Sequence, residues 1–138
     1  MDPSDTAPEG RVSFRFGDSE ELSDLLISLI RAGKKTATCE ALRAFESGAE
    51  VMPEVGRRDV ALNWDGTPAL LLETVSFVVR RFCDVDWAFA ALEGENDDLA
   101  GWRHDHEQYY RRTGGFDPHM PVVCECFRVV HDYAPLPE

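Results

Sequence analysis

The segment Asp18-Ser19-Glu20-Glu21-Leu22-Ser23-Asp24-Leu25-Leu26-Ile27-Ser28-Leu29-Ile30-Arg31-Ala32-Gly33-Lys34-Lys35-Thr36-Ala37-Thr38-Cys39 holds the clearest helical period in the chain and its only two lysines. Asp18 with Glu21 three residues later resembles a capping box, and Leu22, Leu25, Leu26, Leu29 and Ile30 recur at helical spacing. Gly33 then reads as the helix stop. Beyond it two cations are followed by hydroxyl residues at alternate positions, so an extended backbone would present an amine and a hydroxyl to one pocket. The same tract also reads as a cationic helix C-terminus that complements the macrodipole.

A second, shorter helix is expected over Glu40 to Ser47, burying Leu42 and Phe45 and ending at Gly48, which makes the lysine tract a connector between helices. The period changes to two at Asp59 to Trp64, an Asp65-Gly66 turn follows, and a β-rich run from Ala69 to Val79 completes a hairpin. Val12 to Phe16 alternates in the same way. Asp86 to Leu92 suggests a short helix ending before Gly94. Another helix starts near Asp97 or Asp98, with Leu99, Trp102, His106 and Tyr109 as its buried stripe. After the Gly114-Gly115 break, Pro121 to Val130 is a valine-rich strand. This order predicts an α+β domain in which a curved sheet or small barrel carries helices to one side.

At 138 residues and 43% hydrophobic content, one domain with its own core accounts for the chain. Residues 1–10 are rich in proline and acid and are expected to form a disordered lead-in, leaving a single domain over 11–138. No apolar run reaches the roughly 20 residues a membrane span needs, and the expected location is the cytoplasm. Cys39, Cys83, Cys124 and Cys126 form no Cys-x-x-Cys pair and read as free, largely buried thiols, with zinc poorly supported. The net charge of −12 opposes broad binding to nucleic acid, where Lys and Arg supply most of the affinity. Only convergence of doublets such as Lys34-Lys35, Arg57-Arg58, Arg80-Arg81 and Arg111-Arg112 would create a local basic patch.

Glu93-Gly94-Glu95-Asn96-Asp97-Asp98 crowds four carboxylates at a helix junction. Such a group either shifts a carboxyl upward or gathers a divalent cation, or it caps the next helix and sits at its positive end. His106, beside Trp102 and Tyr109, suits base stacking or proton transfer, or is a core histidine with satisfied nitrogens. Arg103 reaches either a phosphate or Glu107 at i+4. Glu73, inside an apolar strand, needs a partner unless it faces solvent.

Taken in order, Phe16-Gly17-Asp18, Gly33-Lys34-Lys35-Thr36-Ala37-Thr38, Asp65-Gly66-Thr67-Pro68, Phe82 with Asp84-Val85, Phe89-Ala90, Glu93-Gly94-Glu95 and Trp102-Arg103 with His106 resemble the ASCH domain family from about Arg11 to Val130. The resemblance implies a PUA-like β-barrel with flanking helices and a ligand cleft between them. It implies RNA binding, RNA cleavage or deacylation of a modified cytidine as roles, with a non-catalytic recognition module as the alternative. In family members that act on N4-acetylcytidine, a Gly-x-Lys-Thr-x-Thr pattern and a later glutamate carry catalysis, and these roles fall on Lys35, Thr38 and Glu95. Lys34, Thr36, Arg57, Arg58, Trp102, Arg103 and His106 are the candidate substrate or RNA contacts, Trp102 as a stacking wall. The chain departs from those small enzymes by its greater length and by the Trp102-Arg103…His106 helix. In the amidohydrolase reading Thr38 is the nucleophile and Lys35 its base, with Glu95 turned toward the substrate. Lys35, Thr38, Glu95 and Arg103 are expected to line one cavity. No cofactor, bound metal or obligate protein partner is expected.

Overall fold

The two longest strands set the architecture of the computed structural model, which describes residues 3–134. β4 (Pro68–Arg81) and β5 (Pro121–Asp132) run antiparallel, with pairs from Leu70 with Asp132 to Arg81 with Pro121. β3 (Arg58–Leu62) lies on the first half of β4 through the tight Asp65-Gly66 turn, where the Asp65 carboxylate accepts from the Thr67 amide and hydroxyl. β1 (Ser13–Arg15) extends this side in parallel with β3. On the other side β2 (Ala37–Ala41) pairs with residues 122–126 of β5.

The resulting order, β1-β3-β4-β5-β2, is an open sheet in an α+β domain, and not the closed barrel expected from the resemblance. β3 occupies one half of the β4–β5 ribbon and β2 the opposite half. Register shifts at Leu71/Leu72 and Thr74/Ser76 add local twist and curve the ribbon. The two edge strands β1 and β2 do not pair, and residues from both face a cavity instead.

α1 (Glu20–Arg31) buries Leu26, Ile27 and Ile30 against Phe16, Ala61, Leu70, Leu72 and Phe127. Its cap is Ser19, whose hydroxyl accepts from the Leu22 amide, while Asp18 is drawn away to Arg112. The second helix is shorter than its composition suggests: α2 covers only Leu42–Glu46, because residues 37–41 are taken by pairing with β5. The lysine tract therefore leads from a helix into a strand. The Asp86 to Leu92 segment divides into α3 (Trp87–Ala90), capped by Asp86, and a 3-10 turn over Ala91–Glu93 that Gly94 ends in the left-handed region.

α4 (Leu99–Thr113) starts at the Asp98 cap, an arrangement that contributes about 1 kcal/mol. It buries Trp102, His106 and Tyr110 against Phe82, Val85, Ala90 and the β2–β5 face. Tyr110, four residues after His106, takes the inner position expected for Tyr109, and Tyr109 is only half-buried. Of the proposed lead-in, residues 1 and 2 lie outside the described residues. Pro3–Thr6 form a 3-10 turn, and the Tyr133 hydroxyl donates to the Thr6 carbonyl. No helix among the described residues is long and apolar enough to cross a membrane.

Candidate functional site

A cavity of about 360 Å³ lies between the two edge strands, roofed by α1 and α4 and floored by β4 and β5. Its apolar wall includes Phe14, Phe16, Leu22, Leu26, Phe45 and Phe127, and its polar wall includes Lys35, Thr38, Glu40, Glu50, Glu93, Glu95, His106 and Tyr109. That volume and mixture are typical of a small-ligand site.

Lys35 is delivered by the way α1 ends. Gly33 adopts φ +76°, and the amides of Lys34 and Lys35 both turn back to the Leu29 carbonyl. The next residue is clamped to the 3-10 turn, since the Thr36 amide donates to the Leu92 carbonyl at 2.8 Å. Gly94 makes this approach feasible: a Cβ there would stand 2.1 Å from the Lys34 carbonyl oxygen, and its φ of +71° disfavours any other residue.

The lysine is 1% exposed, and its Nζ donates to Glu93 Oε1 at 3.2 Å and Glu95 Oε2 at 2.9 Å. Glu93 Oε2 accepts from Trp102 Nε1 at 2.5 Å and lies 3.4 Å from His106 Nε2. His106 Nδ1 is 2.9 Å from the Trp102 carbonyl, which can only accept, so this nitrogen carries a proton. The His106 ring stacks on the Trp102 indole with centroids 4.2 Å apart.

Burial pushes Lys35 toward the neutral amine, but the charges and hydrogen bonds of Glu93 and Glu95 outweigh it and the net shift is upward. The group is an ammonium. The expected role of Lys35 as a base for Thr38 therefore conflicts with its surroundings, because both carboxylates contact the amine directly. Burial raises Glu93, yet Lys35, His106 and the indole N–H overcome it and bring the carboxyl down to about 2. Glu95 shifts the other way. Burial and the nearby Glu93 charge raise it above the usual range despite Lys35, and its side chain keeps 19% exposure toward the cavity. Burial lowers His106, but Glu93, Glu95 and the Trp102 carbonyl carry the net shift upward, toward imidazolium. Adjacent carboxyls whose affinities for protons are pushed apart suit different tasks: Glu93 as a fixed anion, Glu95 as the group that exchanges protons.

Glu93, Glu95 and His106 offer ligand atoms within 4.8 Å of one another, spacing that would suit a metal ion. The Lys35 ammonium, bonded to both carboxylates, already supplies the positive charge there.

Of the residues singled out from sequence, Lys35, Thr38, Glu95 and His106 share the cavity. Glu93, Tyr109 and Arg112 line it as well, and the remaining candidate contacts stand apart from it. Lys34 and Thr36 are exposed on the connector. Trp102 is fully buried and holds Glu93, so its ring is no wall for a ligand. Arg103 is exposed and directed at the Cys83 carbonyl, and Glu107 pairs with Arg111 instead. Arg57 is held by Asp59 and the Met52 carbonyl, while Arg58 shares Glu73 with Arg128. Arg81 and Arg112 pair with Asp84 and Asp18, so the doublets do not merge into a basic patch. All four cysteines are unpaired thiols, with Cys39 and Cys124 buried opposite each other across β2 and β5.

Sequence reasoning missed Glu93 as the central anchor, because its partners come from residues 35, 102 and 106. It also missed Glu40 and Glu50. Glu40 was within reach: read as a strand, the tract after Lys35 puts positions 38 and 40 on one face.

A family model described as the ASCH domain matches residues 12–131. An ASCH domain of known structure from Lactobacillus crispatus JV V101 is 33% identical, with a TM-score of 0.77 over 86% of this chain and 79% of that one. A protein from Enterococcus faecalis V583 is 30% identical, with a TM-score of 0.79 over 88% and 77%. A hypothetical protein designated PH0355, 18% identical with a TM-score of 0.54 over 79% and 94%, shares the fold. Among curated proteins none matches the chain.

Proposed function

The chain belongs to the ASCH domain family, and from that premise and the chemistry of its cavity we propose that it binds a nucleoside modified on its exocyclic amine and hydrolyses the acyl amide there. The observation that carries this reading is the Lys35 ammonium, buried between Glu93 and Glu95, with the proton-exchanging carboxyl on the cavity side. A cation of this kind favours negative charge developing on an amide oxygen, and Glu95 is suited to move a proton.

In the proposed reaction the Thr38 hydroxyl oxygen attacks the acyl carbon as Glu95 takes its proton, and Lys35 stabilises the resulting oxyanion. The C–N bond then breaks, and the proton passes from Glu95 to the leaving exocyclic nitrogen. Water, losing a proton to Glu95, attacks the acyl carbon; the bond from that carbon to the Thr38 oxygen breaks, the acid leaves, and Glu95 returns the proton to the Thr38 oxygen. The role of base thus moves from Lys35 to Glu95.

A single nucleoside fits the cavity's chemistry better than an RNA strand. A net charge of −12 repels phosphate at long range. The arginines at positions 57, 58, 81 and 112 already hold carboxylates. Unpaired thiols fit a reducing compartment, which supports the cytoplasm as the site of action.

The test is incubation of the intact protein with N4-acetylcytidine, following cytidine and acetate by mass spectrometry. Turnover is expected, with Glu95→Gln losing about 10²-fold to 10⁴-fold in kcat and Thr38→Ala abolishing it. Saturable binding without turnover would favour the recognition-module reading. Absence of both binding and turnover would overturn the proposal.

A further inference from the structure

The Lys35 cluster uses only part of the polar wall. Beyond His106 the cavity is lined by Glu40 and Glu50, with Tyr109 between α4 and β2. Glu40 accepts from the Tyr109 hydroxyl at 3.0 Å and from the Ala41 amide at 2.8 Å, and has no cation bonded to it. The Glu50 carboxyl has no hydrogen-bond or ion-pair partner among the described residues, and the charge it senses most is that of Glu40. Burial raises both carboxyls, Glu50 to about 7, and for Glu40 it outweighs its two hydrogen bonds and the nearby charges of Arg43 and His106, neither of which bonds to it. The apolar side chains of Phe45 and Val51 flank this end.

We infer that Glu40 and Glu50 form a subsite for a cationic group on the acyl part of the ligand, so that the preferred substrate is an aminoacyl amide of the nucleoside, not a simple acetyl one. This rests on the reaction proposed above. Glu95 attends the leaving nitrogen, so the acyl substituent extends away from Glu95. Thr38 and Glu40 are alternate residues of β2, about 6.6 Å apart along a strand. An ammonium two methylenes beyond the acyl carbon attacked by Thr38 reaches the Glu40 and Glu50 carboxylates and completes their charge. A neutral acyl chain would leave them unpaired, and an anionic one would be repelled.

Three nearly isosteric cytidine amides test the subsite: N4-butanoyl, N4-β-alanyl and N4-succinyl. Their kcat/KM with the intact protein, and their affinities by calorimetry, should rank β-alanyl above butanoyl by at least about tenfold, with succinyl last. Glu50→Gln combined with Glu40→Gln should bring the β-alanyl to butanoyl ratio close to 1. The preference should also persist in 0.5 M salt, where long-range attraction by the acidic surface is screened. A ratio within about twofold of 1 in the intact protein, one that survives the double substitution, or one that disappears in salt would overturn the subsite. If none of the three is bound or turned over, the nucleoside reading itself fails and the subsite with it. Equal use of butanoyl and β-alanyl would leave the reading standing and refute only the inference.

Discussion

At the Lys35 end of the cavity four ionisable groups form a closed set, Lys35 and His106 facing two carboxylates with the indole of Trp102 taking up a further lone pair. At the Glu40–Glu50 end two carboxyls meet a tyrosine hydroxyl, a backbone amide and one another, with no cation bonded. The same low-polarity surroundings act on both. The first arrangement compensates for burial internally. The second leaves burial only partly compensated, so a cation arriving with a ligand would be favoured there.

Breaking the closed set should have the largest effect. Lys35→Met leaves two buried carboxylates without their cation and is expected to cost about 3–5 kcal/mol in urea unfolding. A Lys35→Met/Glu93→Gln double variant should recover part of that loss. If Lys35→Met is as stable as the parent, the set is not closed in the sense argued here.

Gly94→Ala strikes the same end through the backbone. It sets a Cβ against the Lys34 carbonyl at a positive φ, and the expected cost is about 2–4 kcal/mol, with the Lys35 contacts loosened. Stability within about 0.5 kcal/mol of the parent would show that the connector adapts freely. Trp102→Phe keeps the packing but removes the donor to Glu93. A loss of about 1–3 kcal/mol is expected for the acceptor left short of a partner, and a loss near zero would assign the indole to packing alone.

The smallest effect should come from the open end, and with the opposite sign. Glu50 titrates near 7 in the folded chain against an ordinary 4.5. Below 4.5 both states hold the proton and the group is neutral to stability. Between 4.5 and 7 the unfolded chain ionises first, so the penalty grows with pH and is complete above 7. Glu50→Gln should therefore stabilise the protein at pH 8 by about 1 kcal/mol, allowing for solvent screening, and change little at pH 4. A destabilisation at pH 8 would mean that Glu50 has a structural partner.

Much of the scaffold was legible because periodicity reports burial: Leu26 and Ile30 entered the core as their helical spacing required, although Leu25 of the same stripe is exposed and Ile27 takes an inner position. Strand β2 was hidden because its five residues, although they alternate as Ala37-Thr38-Cys39-Glu40-Ala41, are too few to outweigh the helical look of the residues after them. The sequence left a curved sheet and a small barrel as alternatives, since closure depends on where the β4–β5 ribbon bends. At the site, Lys35, Thr38, Glu95 and His106 were visible as residue types in suggestive tracts. Glu93 as anchor and Trp102 as its donor were not, because a hydrogen bond between a 3-10 turn and a helix leaves no spacing signal. Glu50 was invisible for the same reason, as it sits in a loop and is defined by what it lacks.

The account's central claim is that the cavity takes a small uncharged or cationic nucleoside derivative and not a phosphate chain. The direct measurement is calorimetric titration with N4-acetylcytidine, its 5′-monophosphate and a single-stranded oligoribonucleotide at two salt concentrations. The nucleoside should bind saturably with one site and little salt dependence, the monophosphate more weakly, and the oligonucleotide weakly with an affinity that falls steeply as salt rises. Tighter binding of the oligonucleotide than of the nucleoside, lost on changing Lys34 and Arg103 to alanine, would contradict it.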